Sequence, residues 1–170
     1  MRKCNKIISI IFAIFCIISI SSSAFADSIH VLKENPPNNT FTGDFEISGA
    51  NPPGRNADIH NLSLSSYNYQ AKNMGYRLYT SKWLKGASSI KITVRNWKLL
   101  EFHGGKSNQL DLIVYNSSKK PIKSKTITIN GTSASTTISG LPSSSKYYIC
   151  FQVPTNGNRY SYNGTISKNN

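Results

Sequence analysis

Residues 110–116 read LDLIVYN and residues 146–153 read KYYICFQV, and these two runs mark the chain as an all-β protein. Both runs are rich in β-branched and aromatic residues, which pack well on a pleated sheet and are enriched in strands. Turn sequences such as Asn130-Gly131 separate them from further short runs of the same kind. Many short strands at such spacing are typical of a β-sandwich or a jelly roll.

The strand pattern continues toward the N-terminus as far as residue 57. The clearest case is the run 88–97, where an apolar set alternates with a polar set: Ile90, Ile92 and Val94 against Lys91, Thr93 and Arg95. This alternation predicts a half-buried strand with a basic outer face. No stretch after the first 26 residues keeps a helical period. We therefore predict one all-β domain over residues 57–170, an antiparallel β-sandwich of jelly-roll-like topology.

The first 26 residues have the features of a secretory signal peptide. They begin with a positive segment that contains Arg2, Lys3 and Lys6. The apolar helical run that follows, residues 7–20, is shorter than the roughly 20 residues that a membrane-spanning helix needs. Small residues at the end of the leader predict cleavage between Ala26 and Asp27. We expect a secreted, extracellular or cell-wall-associated protein with no membrane span after cleavage; an uncleaved anchor is the alternative.

Residues 27–56 are rich in proline and asparagine, and we predict that they are mostly irregular. Two Asn-Pro-Pro triplets, at 35–37 and 51–53, each force an extended residue before the proline and stop a helix. Between the triplets, residues 44–48 alternate between polar and apolar side chains, which is compatible with one edge strand.

The domain is strongly basic. The chain has 20 lysines and arginines against 7 acids, and removal of the three basic residues of the leader leaves 17 against 7, a net charge of about +10. Outside the cell, this charge favours wall polymers, acidic polysaccharides, extracellular DNA and anionic lipid as partners. Solubility alone is the alternative reason for the charge.

One cysteine, Cys150, remains after the leader is removed, so the domain has no intrachain disulfide framework. Cys150 lies within the Tyr-rich run 146–153. We predict that it is a buried thiol that acts as a small apolar side chain, because no histidine partner or electropositive setting accompanies it.

Six basic side chains are candidates for binding a polyanion. Four of them fall within seven residues that contain no acid, and two lie on the polar side of the run 88–97: Lys119, Lys120, Lys123 and Lys125, with Lys91 and Arg95. We expect an anionic polymer or a glycan surface as partner and no specific nucleic acid. The alternative is that the lysines keep a hairpin soluble and prevent its edge from pairing.

Four aromatic residues are candidates for stacking on a sugar or a peptide: Trp97, Trp83, Tyr67 and Tyr69. Trp97 has the parity of Lys91 and Arg95, so an unbroken strand places it on the outer face, whereas a β-bulge turns it inward. Cross-strand packing in the core is the alternative for aromatic residues of this kind.

Three runs in the C-terminal half resemble the bacterial pre-peptidase C-terminal domain. They are residues 110–116, the run Tyr147-Tyr148-Ile149, and residues 160–166, which read YSYNGTI. The resemblance covers residues 85–167 and implies a small jelly-roll β-sandwich. Clostridial collagen-binding modules are similar to this family, and small secreted proteins of low-GC Gram-positive bacteria are similar to this chain.

Two further comparisons with known families concern calcium binding and the topology of the sandwich. Clustered acids hold calcium in the collagen-binding modules, but Asp44, Glu46 and Asp58 are scattered here, so we expect no calcium and no other cofactor. The segment from Gly140 to Tyr147 is similar to the tyrosine corner of fibronectin-like sandwiches, which is the alternative topology.

The sequence contains no catalytic motif. It has neither a Gly-x-Ser-x-Gly elbow nor a phosphate-binding glycine loop. The pairs Asp58/His60 and Glu101/His103 each offer two metal ligands, whereas a zinc site needs three or four. We therefore predict no catalytic and no metal-binding residues, and a secreted binding or adhesion module. The alternatives are a bacteriocin-like or toxin-like antagonist and an extracellular hydrolase.

Overall fold

The computed structural model describes residues 45–170, which form eleven strands and no helix. In chain order the strands are β1 Glu46–Ile47, β2 Ile59–Asn61, β3 Tyr67–Met74, β4 Arg77–Tyr79, β5 Trp83–Lys85, β6 Ser89–Glu101, β7 Gln109–Asn116, β8 Pro121–Thr128, β9 Ala134–Ser139, β10 Tyr147–Gln152 and β11 Arg159–Lys168. The prediction of an all-β chain is confirmed for this part of the protein.

The strands form two sheets that pack as a sandwich. Sheet A has the order β1-β3-β11-β6-β9, and sheet B has the order β2-β5-β10-β7-β8, with β4 also paired to β10. Eight strands pair as one nested antiparallel hairpin: β3 with β11, β5 with β10, β6 with β9, and β7 with β8. These four pairs alternate between the sheets, which is the winding of a jelly roll.

The jelly-roll sandwich is therefore confirmed, and the fibronectin-like alternative is wrong. One detail of the prediction needs correction. The pairs β1–β3 and β2–β5 are parallel, so both sheets are mixed rather than purely antiparallel. In each parallel pair the outer strand, β1 or β2, is the edge strand of its sheet and has only two or three residues. The strand β1 falls within the segment 44–48.

The core lies between the sheets and is built by alternate residues of the long strands. On β6, β7 and β10 the inward residues are fully buried: Ile90, Ile92 and Val94; Leu110, Leu112 and Val114; Tyr147, Ile149 and Phe151. Burial of this apolar surface is the main force that holds the two sheets together. The inward set of β6 is the apolar set of the run 88–97, as the alternation predicts.

Cys150 is buried, but it lies outside this main core. It occupies the opposite side of β10 from Ile149 and Phe151, and Tyr79 of β4 is its neighbour in register. Burial raises the pKa of the Cys150 thiol to about 11. The thiol is therefore both covered and protonated at neutral pH, which is the environment of a structural cysteine.

We expect Cys150 to react with a thiol reagent at pH 8 about a hundredfold more slowly in the folded protein than in denaturant, because an ordinary thiol of pKa near 8.5 is far more ionised at that pH. In the folded protein the rate should keep rising up to pH 10, since the thiolate fraction grows toward the raised pKa. Labelling followed by mass spectrometry measures both rates. Equal rates in the two states would contradict a buried Cys150.

The predicted signal peptide and its cleavage site at Ala26 and Asp27 lie outside the described residues, so they stay predictions. The same holds for residues 27–44. Within residues 45–170, no helix is long and apolar enough to cross a membrane.

Candidate functional site

A β-bulge in β6 determines where Trp97 points. Arg95 pairs with Asn163 of β11, and Lys98 pairs with Ser161. Between these pairs β6 therefore contains one residue more than β11, which is the definition of a bulge. The extra residue shifts the alternation of β6 by one position, so Trp97 faces the core although it shares the parity of Arg95.

The environment of Trp97 is that of a core residue. Asn96 adopts φ 55° in the left-handed region, which asparagine tolerates better than most residues. Trp97 is 8% exposed, and its ring stacks on Tyr162 with 5.0 Å between centroids. Its indole nitrogen donates a hydrogen bond to the carbonyl oxygen of Ser107. The inward alternative is confirmed, and a stacking role for Trp97 on a ligand is wrong.

The other three aromatic candidates are also buried, so the prediction that they stack on a ligand is wrong. Tyr67 and Tyr69 share one face of β3, but that face is the core, where Tyr69 stacks on Phe151 at 4.5 Å. The physical reason is that the alternate positions of β3, Asn68 and Gln70, are polar and take the solvent side. Trp83 is buried too, but in a different cluster.

An aromatic cluster on the outer face of sheet B encloses Trp83. Tyr148 lies at its centre and contacts three rings: Tyr115 at 5.1 Å and nearly parallel, Trp83 at 5.4 Å, and Tyr79 at 6.0 Å between centroids. The Trp83 indole donates to the carbonyl oxygen of Gly54, so the loop before β2 lies against it. Local sequence does not predict this cluster; its only signal is that every residue of β10 except the last is apolar or aromatic.

The outer face of sheet A is polar and basic. Four segments of its neighbouring strands, residues 68–72, 161–167, 89–98 and 135–139, contain four cations and no carboxylate. All four cations are exposed, and we call them the basic face: Lys72, Lys91, Arg95 and Lys98. Their neighbours on the outward side are serine, threonine, asparagine and glutamine. Lys91 and Arg95 were predicted candidates, whereas Lys72 and Lys98 were missed.

Lys123 and Lys125 lie at the open edge of the sandwich, because β8 and β9 are the edge strands of the two sheets. Lys125 is opposite Leu112 on the core-facing side of β8, and its Nζ donates to the carbonyl oxygen of Thr137 on β9 at 3.2 Å. Thr137 is in turn the register partner of Lys91. Lys125 therefore lies next to the basic face, a proximity that the sequence does not predict.

Lys119 and Lys120 lie in the turn between β7 and β8, and both are exposed. The side chain of Asn116 organises this turn, because its Oδ1 accepts hydrogen bonds from the backbone nitrogens of Ser118 and Lys120. We call Lys119 and Lys120 the turn pair, and Lys123 and Lys125, which lie on the core-facing side of β8, the edge pair. That the four lysines act together stays a prediction.

A depression lies in the outer face of sheet A, where two bulges flank β11. The first bulge is at Asn96 of β6. The second is in β3, where two residues lie between Ala71 and Met74 but only one lies between their β11 partners, Tyr162 and Tyr160. The depression is open and measures about 380 Å³. We call it the bulge depression, and its polar lining consists of Gln70, Lys72, Asn96, Ser161 and Asn163.

Several acidic side chains, and one histidine, interact with a single neighbouring side chain each. Glu46 forms an ion pair with Lys82, and Asp111 accepts a hydrogen bond from Thr126. Glu101, the last residue of β6, and His103 in the following loop approach to 3.5 Å, and both side chains are exposed. Across residues 45–170, no group of three or more His, Cys, Asp or Glu side chains is arranged to hold a metal ion.

No protein-family model matches the chain. No curated protein matches it at a significant level. The chemistry of the side chains on the two sheet faces is therefore the basis for a function.

Proposed function

We propose that this protein is a secreted, non-catalytic binding module that holds an anionic polymer or glycan against the outer face of sheet A. The observation that carries the proposal is the basic face, in which four exposed cations share four strand segments with no carboxylate. No carboxylate within these segments offsets the positive charge of Lys72, Lys91 and Lys98. Such a surface attracts a polyanion in preference to a single small anion.

The edge pair extends this surface around the side of the sandwich. Lys125 reaches the carbonyl oxygen of Thr137, the residue opposite Lys91, so positive charge continues from sheet A onto β8. An extended ligand that crosses from β6 to β9 would meet these charges in succession. The turn pair, Lys119 and Lys120, lies in the hairpin beyond this path.

The distribution of exposed apolar side chains favours a polymer-binding module over a membrane-active antagonist. An antagonist of that kind needs a large contiguous apolar patch. Within residues 45–170, the large exposed apolar side chains lie on β1, on β2, in two connecting turns, near the end of β6 and in the loop after it: Ile47, Ile59, Leu64, Tyr76, Leu100 and Phe102.

A charge-reversal variant of the basic face tests the proposal. We expect Lys72→Glu/Lys91→Glu/Lys98→Glu to lose most of its retention on an immobilised acidic polysaccharide, with a melting temperature close to that of the wild type because all three side chains are exposed. Exposed charges act over about 8 Å at physiological salt, so the wild-type binding should be strongly salt-dependent. The slope of log affinity against log salt should fall by about three in the variant.

A matched control distinguishes binding by the basic face from retention by net charge alone. Lys85→Glu/Lys106→Glu/Lys120→Glu changes the charge by the same amount at exposed positions outside the basic face. We expect this control to elute much closer to the wild type. If both triple variants elute at the same salt concentration, retention reflects net charge alone and the proposal fails.

A further inference from the structure

We propose that the bulge depression is a subsite for one acidic sugar residue of an anionic polysaccharide. The inference rests on the proposed function and names the ligand class for its central site. The two bulges lie at the same level of β11, over residues 160–163, and the depression lies between them. Bulges re-aim side chains and are frequent beside functional sites.

The lining of the depression has the hydrogen-bonding character of a sugar site. Gln70 and Asn163 are register partners, and the side-chain nitrogen of Asn96 donates to Oδ1 of Asn163 at 3.3 Å. Amides and the Ser161 hydroxyl each both donate and accept hydrogen bonds. Sugar hydroxyls also do both, whereas a phosphate or sulfate group alone needs only donors. The mixed lining therefore matches a hydroxylated ligand.

The positive charge around the depression favours an anionic ligand. Lys72 is part of the lining, and Lys98 is the register partner of Ser161 on the other side. No acid occurs in the strand segments that surround these residues. A neutral sugar would leave these two ammonium groups unpaired by the ligand, whereas the carboxylate of an acidic sugar gives them a partner.

The size and composition of the depression favour an acidic glycan over nucleic acid as its ligand. A volume of about 380 Å³ lies at the small end of the range for ligand sites and suits a single sugar ring. Binding of single-stranded nucleic acid relies on aromatic side chains that stack on the bases. Tyr162 touches the depression but is 3% exposed, so its ring face is not available for stacking.

The test removes hydrogen-bonding groups without changing charge. In Gln70→Ala/Asn163→Ala we expect the affinity for a galacturonate oligomer to fall about tenfold, the effect of losing roughly two hydrogen bonds, while the affinity for inorganic polyphosphate stays within twofold of the wild type. The control Asn56→Ala/Asn108→Ala removes two exposed amides elsewhere and should change neither affinity. If the double variant does not fold, the single variant Asn163→Ala should still show a loss of about threefold for the galacturonate oligomer alone.

The outcomes distinguish this inference from the proposed function. If the double variant binds both ligands as the wild type does, while the triple charge reversal of the basic face still abolishes binding, the subsite is refuted and the proposed function stands. Equal loss of both ligands in the amide variant also refutes the subsite, because hydroxyl recognition cannot then be the cause. If a neutral galactose oligomer binds as well as the acidic one, the assignment of an acidic sugar is wrong.

Discussion

Replacing Gly164 with alanine is expected to destabilise the domain by at least about 3 kcal/mol. Gly164 lies in the middle of β11, where it pairs with Tyr69 on one side and Val94 on the other. A Cβ atom at this position would lie 1.9 Å from the carbonyl oxygen of Thr93 and 2.6 Å from the hydroxyl oxygen of Tyr69. A glycine in a strand interior often marks such a close approach of another backbone.

The clash cannot be relieved locally. The Tyr69 hydroxyl donates to the carbonyl oxygen of Thr93 at 3.0 Å, so the tyrosine side chain crosses the space in which the new methyl group would sit. The other obstacle is backbone of β6, which is paired to β11 over most of its length. Relief therefore requires the central strands of sheet A to separate, and we expect a loss of at least about 3 kcal/mol of stability.

Circular dichroism melting and soluble yield measure this loss. Gly54→Ala is the matched control, since a Cβ atom there meets nothing within 4 Å and the expected change in stability is small. Gly164→Ala/Tyr69→Phe should not recover the lost stability, because the clash with the backbone of Thr93 remains. A melting temperature of Gly164→Ala within a few degrees of the wild type would show that the strands are less tightly paired than described.

The case of Gly164 illustrates which features local sequence predicts. The alternation of Ile90, Ile92 and Val94 was enough to assign their face, because a period of two has only one apolar side. The close packing at Gly164 depends on β3 and β6 lying on either side of β11, and these strands are distant in sequence. A local pattern contains no information about that pairing.

The orientation of Trp97 is only partly predictable from the neighbouring sequence. Its parity indicates the outer face, and only the bulge at Asn96 turns it inward. An asparagine directly before a tryptophan in a strand is a hint, because asparagine tolerates the left-handed conformation that some bulges require. The hint does not decide the matter, so both orientations were compatible with the sequence.

The side of β8 on which Lys123 and Lys125 lie depends on the position of this strand in the fold. Their shared parity is readable from the sequence, and Lys123 and Lys125 do share a side of the strand. That side faces the core, which local reasoning assigns to apolar residues. It accepts lysines only because β8 is an edge strand, where the long side chains reach solvent and inward-pointing charge discourages pairing with another chain.

Truncation of Phe151 to alanine is the second change for which we expect a large effect. Phe151 is completely buried on β10 of sheet B, and its ring stacks on Tyr69 at 4.5 Å and meets Tyr162 edge-on at 6.2 Å. Both tyrosines belong to sheet A, so Phe151 joins the two layers of the sandwich. Loss of a buried phenylalanine costs about 3–5 kcal/mol, because the cavity left behind closes only in part.

A loss of this size is a large share of the stability of an ordinary domain, which is about 5–15 kcal/mol. We expect Phe151→Ala to lower the melting temperature by about 10–20 °C, measured by calorimetry or circular dichroism. Phe102→Ala is the matched control, since the same side chain is 62% exposed there and its removal should change stability by less than about 0.5 kcal/mol. Equal shifts in the two variants would contradict the assignment of Phe151 to the interface between the sheets, and with it the alternation of β10 that places Tyr147 and Ile149 in the same core.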